Sequence, residues 1–446
     1  MTVTAHVPEP ELARYVTNPD AIAPDRTLEI HAHLARCADC ADTYDTFVAT
    51  FAGEDDDAFL GSEGSAASME YGARMRREND DADVLLKDYF DKPERAAFHN
   101  LASQRKFVHA GVVRRLAKKA FDVCASEPLH ALVFADAAIA VAGALRKDDY
   151  PPNAIHDLRG RAWKERANAL IGLGKPTAAL DALDHAAYEY GRDPSNTLGL
   201  GNVALVRAGA YFRLERFLDA DREVRIAQEQ YELLGDAERR TKAIFLHGNI
   251  KYESRELEGA AALFRRVIAY GETEQHQEWV ASGSYALGNC VLETGDIETA
   301  AVLFSRAIPI YRQTAQEYLV RAQWGMARVL LARGLYPESL RGLRVVHAEF
   351  TKRGAVLDAA VAALDAMDAM VALGMFKQVA VLARAVFTSF TDAGMLTSAL
   401  TAFTYIQTAA AEERLTREQV RAVRSFVKRL ERAPDLLFVP PQDPPR

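Results

Sequence analysis

Cysteine is scarce, with four residues in 446. That is too few for a disulfide framework, so a reducing compartment, the cytoplasm, is expected. Long apolar runs are also missing. The best candidate, Leu129 to Leu145, is rich in alanine, broken by Asp136 and shorter than the ~20 residues a membrane span needs, so it reads as a packed helix. The opening stretch from Met1 to His6 has neither the basic segment nor the apolar run of a secretion signal. Positive charge is in deficit: the formal net charge is −8, so no overall field draws in nucleic acid or anionic lipid. Neither is expected as a partner. The one basic stretch, Gln104 to Lys119, follows an acidic one from Glu54 to Glu94 and reads as a helix face paired with it. No GxxxxGK[ST], GxSxG, HExxH or GxGxxG pattern occurs, and Gly199-Leu-Gly201 has no strand before it and reads as a loop. Nothing nominates an enzyme. Extended Val/Ile/Thr alternations are absent while alanine and leucine abound, which favours helices over strands.

The text of the chain divides readily. Residues 1–52 form a short N-terminal module. Residues 53–72 combine Gly, Ser and a run of acids, the composition of a flexible linker. Residues 73–432 read as helix after helix. Residues 433–446 hold five prolines in fourteen positions and read as an irregular tail.

Within the helical region a register repeats. Small or pivotal residues fall at Ala167, Ala208, Gly248, Gly288, Ala327 and Met367, at intervals of 39 to 41 residues. Seven residues after each comes a turn position: Gly174, Glu215, Arg255, Gly295, Gly334 and Gly374. Four of the six are glycine, as the end of a helix wants. The following helix carries a small residue at Ala179, Ala220, Ala260, Ala300, Ser339 or Val379, and four positions later Leu183, Val224, Phe264, Phe304, Leu343 or Ala383. Two short helices cannot bury an apolar face alone, so each pair must stack on its neighbours. Small residues where helices cross let backbones approach, and a large residue beside them fills the gap. An all-α solenoid of helix pairs is expected, capped by helices in Gln104 to Leu145 and Leu396 to Arg432.

The pattern Trp163, Ala167, Leu170, Gly174, Ala179, Leu183, Ala186 resembles a tetratricopeptide repeat, as does Gly288, Val291, Gly295, Ile297, Ala300, Phe304, Ala307. The resemblance covers roughly residues 155 to 405. The period is about 40 rather than the ~34 of the standard repeat, and the sixth copy departs from it with Met367 and Val379 where small residues belong.

First helices of stacked repeats line a groove. One residue past the small position stand Asn168, Asn249 and Asn289, with Gly209, Arg328 and Asp368 in the other copies. Asparagine amides can pair with the backbone of an extended peptide through donor and acceptor together. Arg161, Lys164, Lys242 and Arg321 share that helix face, with Phe245, Tyr285 and Trp324. Taken singly, each asparagine has a plainer reading as a residue common at this repeat position. Taken together they mark the groove as the binding surface for a protein or peptide.

The N-terminal module contains the only cluster of metal-capable residues in the sequence, His31-Ala-His33-Leu-Ala-Arg-Cys37-Ala-Asp-Cys40. On a helix, His33, Cys37 and Cys40 share one narrow stripe, and zinc takes nitrogen and sulfur ligands in a tetrahedron. Asp25 is placed to cap that helix. The spacing H-x3-C-x2-C resembles the zinc-binding anti-sigma-factor domain, over about the first fifty residues. The resemblance implies a fourth ligand upstream, for which His6 stands in place, with His31, another residue or a solvent molecule as alternatives. It also implies a sigma factor as partner. Two functions follow as expectations: a regulatory adaptor of anti-sigma type with a peptide-docking groove, or a structural scaffold whose zinc-stapled module caps the array without binding a sigma factor.

Overall fold

The computed structural model describes residues 66–91, 98, 100–193, 196–393, 397–430 and 436–441, and before them 6–8, 11, 12, 26, 30, 33 and 37. Among the described residues all regular structure is helical. The chain divides into two compact units, residues 1–173 and 174–446.

The first unit holds α1 (Ala66–Asp91), α2 (Ala110–Val123), α3 (Pro128–Ala144) and α4 (Pro152–Gly172). Helix α1 begins inside the segment assigned to the linker, so residues 66–72 are helical. Leu86, Phe107, Leu116, Phe134 and Val141 fill its core. Gly111 is what lets α2 approach α1: a Cβ there would lie 2.1 Å from the Glu78 carbonyl oxygen. Polar bonds clamp the crossing. The Tyr150 hydroxyl donates to Glu78 at 2.8 Å and accepts the Ala110 N–H at 3.1 Å. The basic stretch on α2 does meet the acidic one on α1, with Arg115 2.7 Å from Asp83 and Arg114 bonded to Asn79. Helix α3 is the alanine-rich segment. It packs between α2 and α4, its Asp136 held by Arg166 at 2.8 Å. No described helix is long and apolar enough to cross a membrane.

The second unit runs through α5 (Pro176–Tyr190), α6 (Thr197–Arg213), α7 (Phe217–Leu233), α8 (Ala237–Glu253), α9 (Leu257–Thr273), α10 (Gln277–Glu293), α11 (Ile297–Thr314), α12 (Gln316–Ala332), α13 (Tyr336–Lys352), α14 (Val356–Ala372), α15 (Phe376–Asp392), α16 (Thr397–Ala411) and α17 (Arg417–Leu430). Successive helices pack side by side, and the even-numbered ones from α6 to α14 also touch one another. The long period has a simple origin. Helices of 17 residues alternate with three-residue turns, and two of each make 40.

All six turn positions adopt positive φ, from 55° at Glu215 to 91° at Gly295. The left-handed residue reverses the chain within three residues. Asp296 follows one of them and caps the next helix by accepting the N3 amide, as Asn196 and Asp236 do at other turns. Gly199 and Gly201, expected in a loop, lie instead in the first turn and a half of α6. The Asn196 cap starts that helix, and the Tyr190 ring sits where a Gly199 side chain would be.

The crossing positions behave as a volume exchange. A Cβ on Gly248 would fall 2.5 Å from the Phe264 ring, and Gly288 faces Phe304 in the same way at 3.0 Å. Copies with alanine at the crossing carry Leu183, Val224 or Leu343 sixteen residues on, while Met367 is matched by Ala383. All of these are buried. The sixth copy is therefore inverted, with the large residue on the first helix and the small one on the second.

The C-terminal cap departs from the expected helix pair. Helix α17 makes little contact with α16 and packs on α14 instead. Its apolar face explains this: Val420, Val423, Val427 and Leu430, spaced by three and four, are buried.

Candidate functional site

The N-terminal cluster assembles three of the four proposed ligands. The donor atoms of His6, His33 and Cys37 lie within 4.8 Å of one another. Cys37 Sγ is 3.4 Å from His6 Nδ1, and the Cys37 amide donates to the His33 carbonyl at 3.0 Å, placing His33 and Cys37 one helical turn apart. His33 Nε2 is buried without a hydrogen-bond partner. Such a nitrogen costs free energy unless something accepts its lone pair or proton, and a metal ion would do so. A borderline-soft ion such as zinc suits two imidazoles and a thiolate. Ile30, Leu12 and Val7 are buried nearby in sequence, and Arg26 grips Glu11 through two bonds of 2.8 Å. Cys40, His31 and Asp25 lie outside the described residues.

The groove assembles in the second unit. Asn249 on α8, Asn289 on α10 and both Arg321 and Arg328 on α12 line one cleft of roughly 250 Å³. Phe245, Tyr285 and Trp324 line it as well. Spacing along the chain made this visible, because one register position on consecutive first helices must face one side. The polar groups are partly engaged with each other. Arg328 donates to Asn289 Oδ1 at 3.2 Å, the Asn289 amide donates to the Tyr285 carbonyl at 3.1 Å, and Arg321 pairs with Asp358 at 2.7 Å.

The remaining candidates stand elsewhere. Lys242 is exposed on α8 and does not line the cleft. Arg161, Lys164 and Asn168 belong to the first unit. Lys164 is buried beside Glu165 at 2.9 Å, and the Asn168 amide donates to the same carboxylate at 2.8 Å.

The spacing of first helices could not reveal that α17 supplies part of the cleft wall through Arg424, Val427 and Lys428. Arg417 and Arg421 both bond to Asp368, the residue at the asparagine register position of the sixth copy. Arg424 bonds to Asp365, which also accepts the Trp324 indole N–H at 2.8 Å. The signal was present as cations at 417, 421, 424 and 428, a stripe of helical spacing beside the apolar one.

Electrostatics in the cleft follow from this crowding. Desolvation and the positive charges of Arg424 and Arg328 push the Lys428 ammonium down to about 8. Burial alone would raise the Glu293 carboxyl. The Tyr252 hydroxyl bond and the charges of Lys428, Arg328 and Arg255 outweigh it and hold that group below the usual carboxylate range.

No protein-family model matches the sequence, and no curated protein matches it significantly. Solved structures do resemble it. A signal transduction ATPase with a tetratricopeptide repeat sensor from Pyrococcus horikoshii shares 13% identity over 95% of this chain and 71% of that one, with a TM-score of 0.50. Aspartyl phosphate phosphatase F from Bacillus subtilis shares 12% over 94% of this chain and 96% of that one, at 0.48. A Rap conjugation gene regulator of the plasmid pLS20, solved in complex with the Phr* peptide, shares 13% over 70% and 96%, at 0.42. At such identities the likeness concerns the fold alone. Together with the forty-residue register of stacked helix pairs, the likeness to the first of these makes this chain a tetratricopeptide-like helical repeat protein.

Proposed function

We propose that the chain is a non-enzymatic regulatory adaptor, docking a protein or peptide in the groove of its second unit. One observation carries the reading: residues at a single register position on α8, α10 and α12 converge with three aromatic side chains on one cleft. Amide and guanidinium groups there suit the carbonyls and N–H groups of an extended chain, and the rings suit its side chains. The test is selection from a phage-displayed library of random peptides against the full chain. Selected peptides should bind Asn249→Ala and Arg321→Ala at least about tenfold more weakly, while Lys352→Ala on α13 leaves binding unchanged. Peptides that bind both cleft variants with full affinity would place docking elsewhere and sink the proposal.

The N-terminal cluster is read as a structural zinc site. His33, Cys37 and His6 would hold the ion, with Cys40 as the further ligand the spacing supplies. The zinc contributes a cross-link that steadies a module too small to hold itself, on the order of 10 kcal/mol. Metal analysis of freshly purified, reduced protein should find one equivalent of zinc, and none would refute the site. By its resemblance to anti-sigma domains, the module's partner is a sigma factor. Co-purification with sigma factors from the same genome tests this, and loss of the complex in Cys37→Ser is the expected outcome.

A further inference from the structure

The geometry points to an oxyanion site where α12 and α17 meet in the cleft, with Arg328 and Lys428 as the groups that bind a carboxylate or phosphate. The charge pairing shows why. Three neighbouring arginines each have a carboxylate: Arg321 has Asp358 at 2.7 Å, Arg424 has Asp365 at 2.5 Å, and Arg255 has Glu293 at 2.5 Å. Arg328 and Lys428 have none within 4 Å among the described residues. Arg328 donates instead to the neutral Asn289 oxygen. Glu293, the carboxylate whose charge reaches both cations, is already taken by the Tyr252 hydroxyl and Arg255.

Two like charges therefore share one cleft with no carboxylate paired to either among the described residues, although Glu253 and Asp358 also line it. The walls, with Phe245, Tyr285 and Trp324, keep solvent from screening them fully. An oxyanion entering here would accept charge-assisted bonds from a planar guanidinium and a point-like ammonium together. It would also offset the repulsion from Arg424 and Arg328 that adds to desolvation in depressing the lysine. Lys428 itself is exposed, yet its backbone is held in place. Its helix is anchored by Val420, Val423, Val427 and Leu430, and by Arg417 and Arg421 on Asp368. Arg328 is held by Asn289. The site is thus built from two parts of the chain a hundred residues apart, and it exists only because α17 packs on α14.

This deepens the groove reading and rests on it for the source of the anion, which is an acidic side chain or terminus of the docked peptide rather than a free ion. The experiment titrates the full chain with inorganic phosphate, following the Lys428 amine by NMR and the affinity by calorimetry. Phosphate should bind and shift the Lys428 titration upward, relative to chloride at matched ionic strength. Lys428→Met and Arg328→Met should each weaken binding about tenfold or more, with circular dichroism confirming that both remain folded, while Lys352→Met changes nothing. Library-selected peptides should carry Asp, Glu or an essential free carboxyl terminus and compete with phosphate. A Lys428 titration that phosphate leaves where chloride does overturns the inference. Selected peptides whose binding survives Lys428→Met overturn it as well, and leave the groove reading standing. Phosphate binding with no peptide selected at all keeps the anion site and removes the groove reading.

Discussion

Glu215 occupies a turn position where four sister copies have glycine, and it sits at φ 55°. A side chain in the left-handed region costs roughly 1–2 kcal/mol. Glu215 is exposed and enters no ion pair among the described residues. Glu215→Gly should therefore raise stability by about 0.5–1 kcal/mol, read as a higher urea midpoint at unchanged slope. A lower midpoint would show that the glutamate has a contact worth more than its strain. Arg255, at φ 69°, is a different case, because its guanidinium lies 2.5 Å from Glu293 and the same replacement would lose that ion pair, leaving Glu293 with the Tyr252 hydroxyl. His247 illustrates a second residue-scale effect. It is buried between Asp221, 2.9 Å from Nε2, and Gln228, 3.0 Å from Nδ1. Desolvation lowers its pKa below the ordinary 6.5 against the pull of Asp221. The unfolded chain then binds more protons in the window between the folded value and about 6.5. The stability this group contributes is complete above that window and lost as pH falls through it. Between about pH 7.5 and about pH 5.5, urea denaturation should show a shallower decline in His247→Gln than in the parent. Parallel declines would assign the loss to other groups.

At the scale of the element, the crossing between first and second helices explains both the regular copies and the inverted one. Met367 and Ala383 are fully buried in one core cluster, so Met367→Ala leaves a void and should cost about 2–5 kcal/mol. Ala383→Leu alone overpacks the site, costing about 1–3 kcal/mol. Combined, they recreate the alanine and leucine pairing of Ala327 and Leu343. The double variant should recover about 1–2 kcal/mol relative to the sum, measured as a urea double-mutant cycle. Strict additivity would mean that the two positions do not share a gap. Helix length is set at this scale too. Seventeen residues between three-residue turns, rather than a different topology, turn the shorter standard repeat into one of 40.

At the scale of the whole molecule, two compact units divide at Leu173 and Gly174, within the turn of the first repeat. The metal cluster belongs to one unit and the cleft to the other. Cys37→Ser, or chelation of the parent protein, should abolish hydrogen-exchange protection in residues 1–52 and leave protection in α6 to α15 unchanged. Loss of protection throughout both units would show that the module is required by the repeats. The converse variant, Val423→Asp, puts a charge on the buried face of α17 and should release that helix at a cost of several kcal/mol. Fast exchange limited to residues 417–430 is the expected readout.

Helical period, turn spacing and the complementary sizes at each crossing are local properties, repeated every forty residues, and so the stacked helix pairs could be read before any coordinates. The same periodicity placed Asn249, Asn289 and Arg328 at one register position, and they share the cleft; it did not show that Arg321 would join them while Lys242, in register with it, would not. His33 and Cys37 were legible through donor chemistry and spacing, and His6 only through the resemblance to a zinc-binding domain. The docking of α17 was not. Its stripe of valines and its stripe of cations declare an amphipathic helix, yet nothing local says which apolar surface it will cover. Asp365 and Asp368, buried on α14, made that choice by offering counter-charges beside an open apolar seam. The wall of the cleft, and with it the placing of Lys428 in the same cleft as Arg328, is a matter of long-range packing. Local pattern determined the repeats, and only the meeting of distant segments decided the chemistry of the groove.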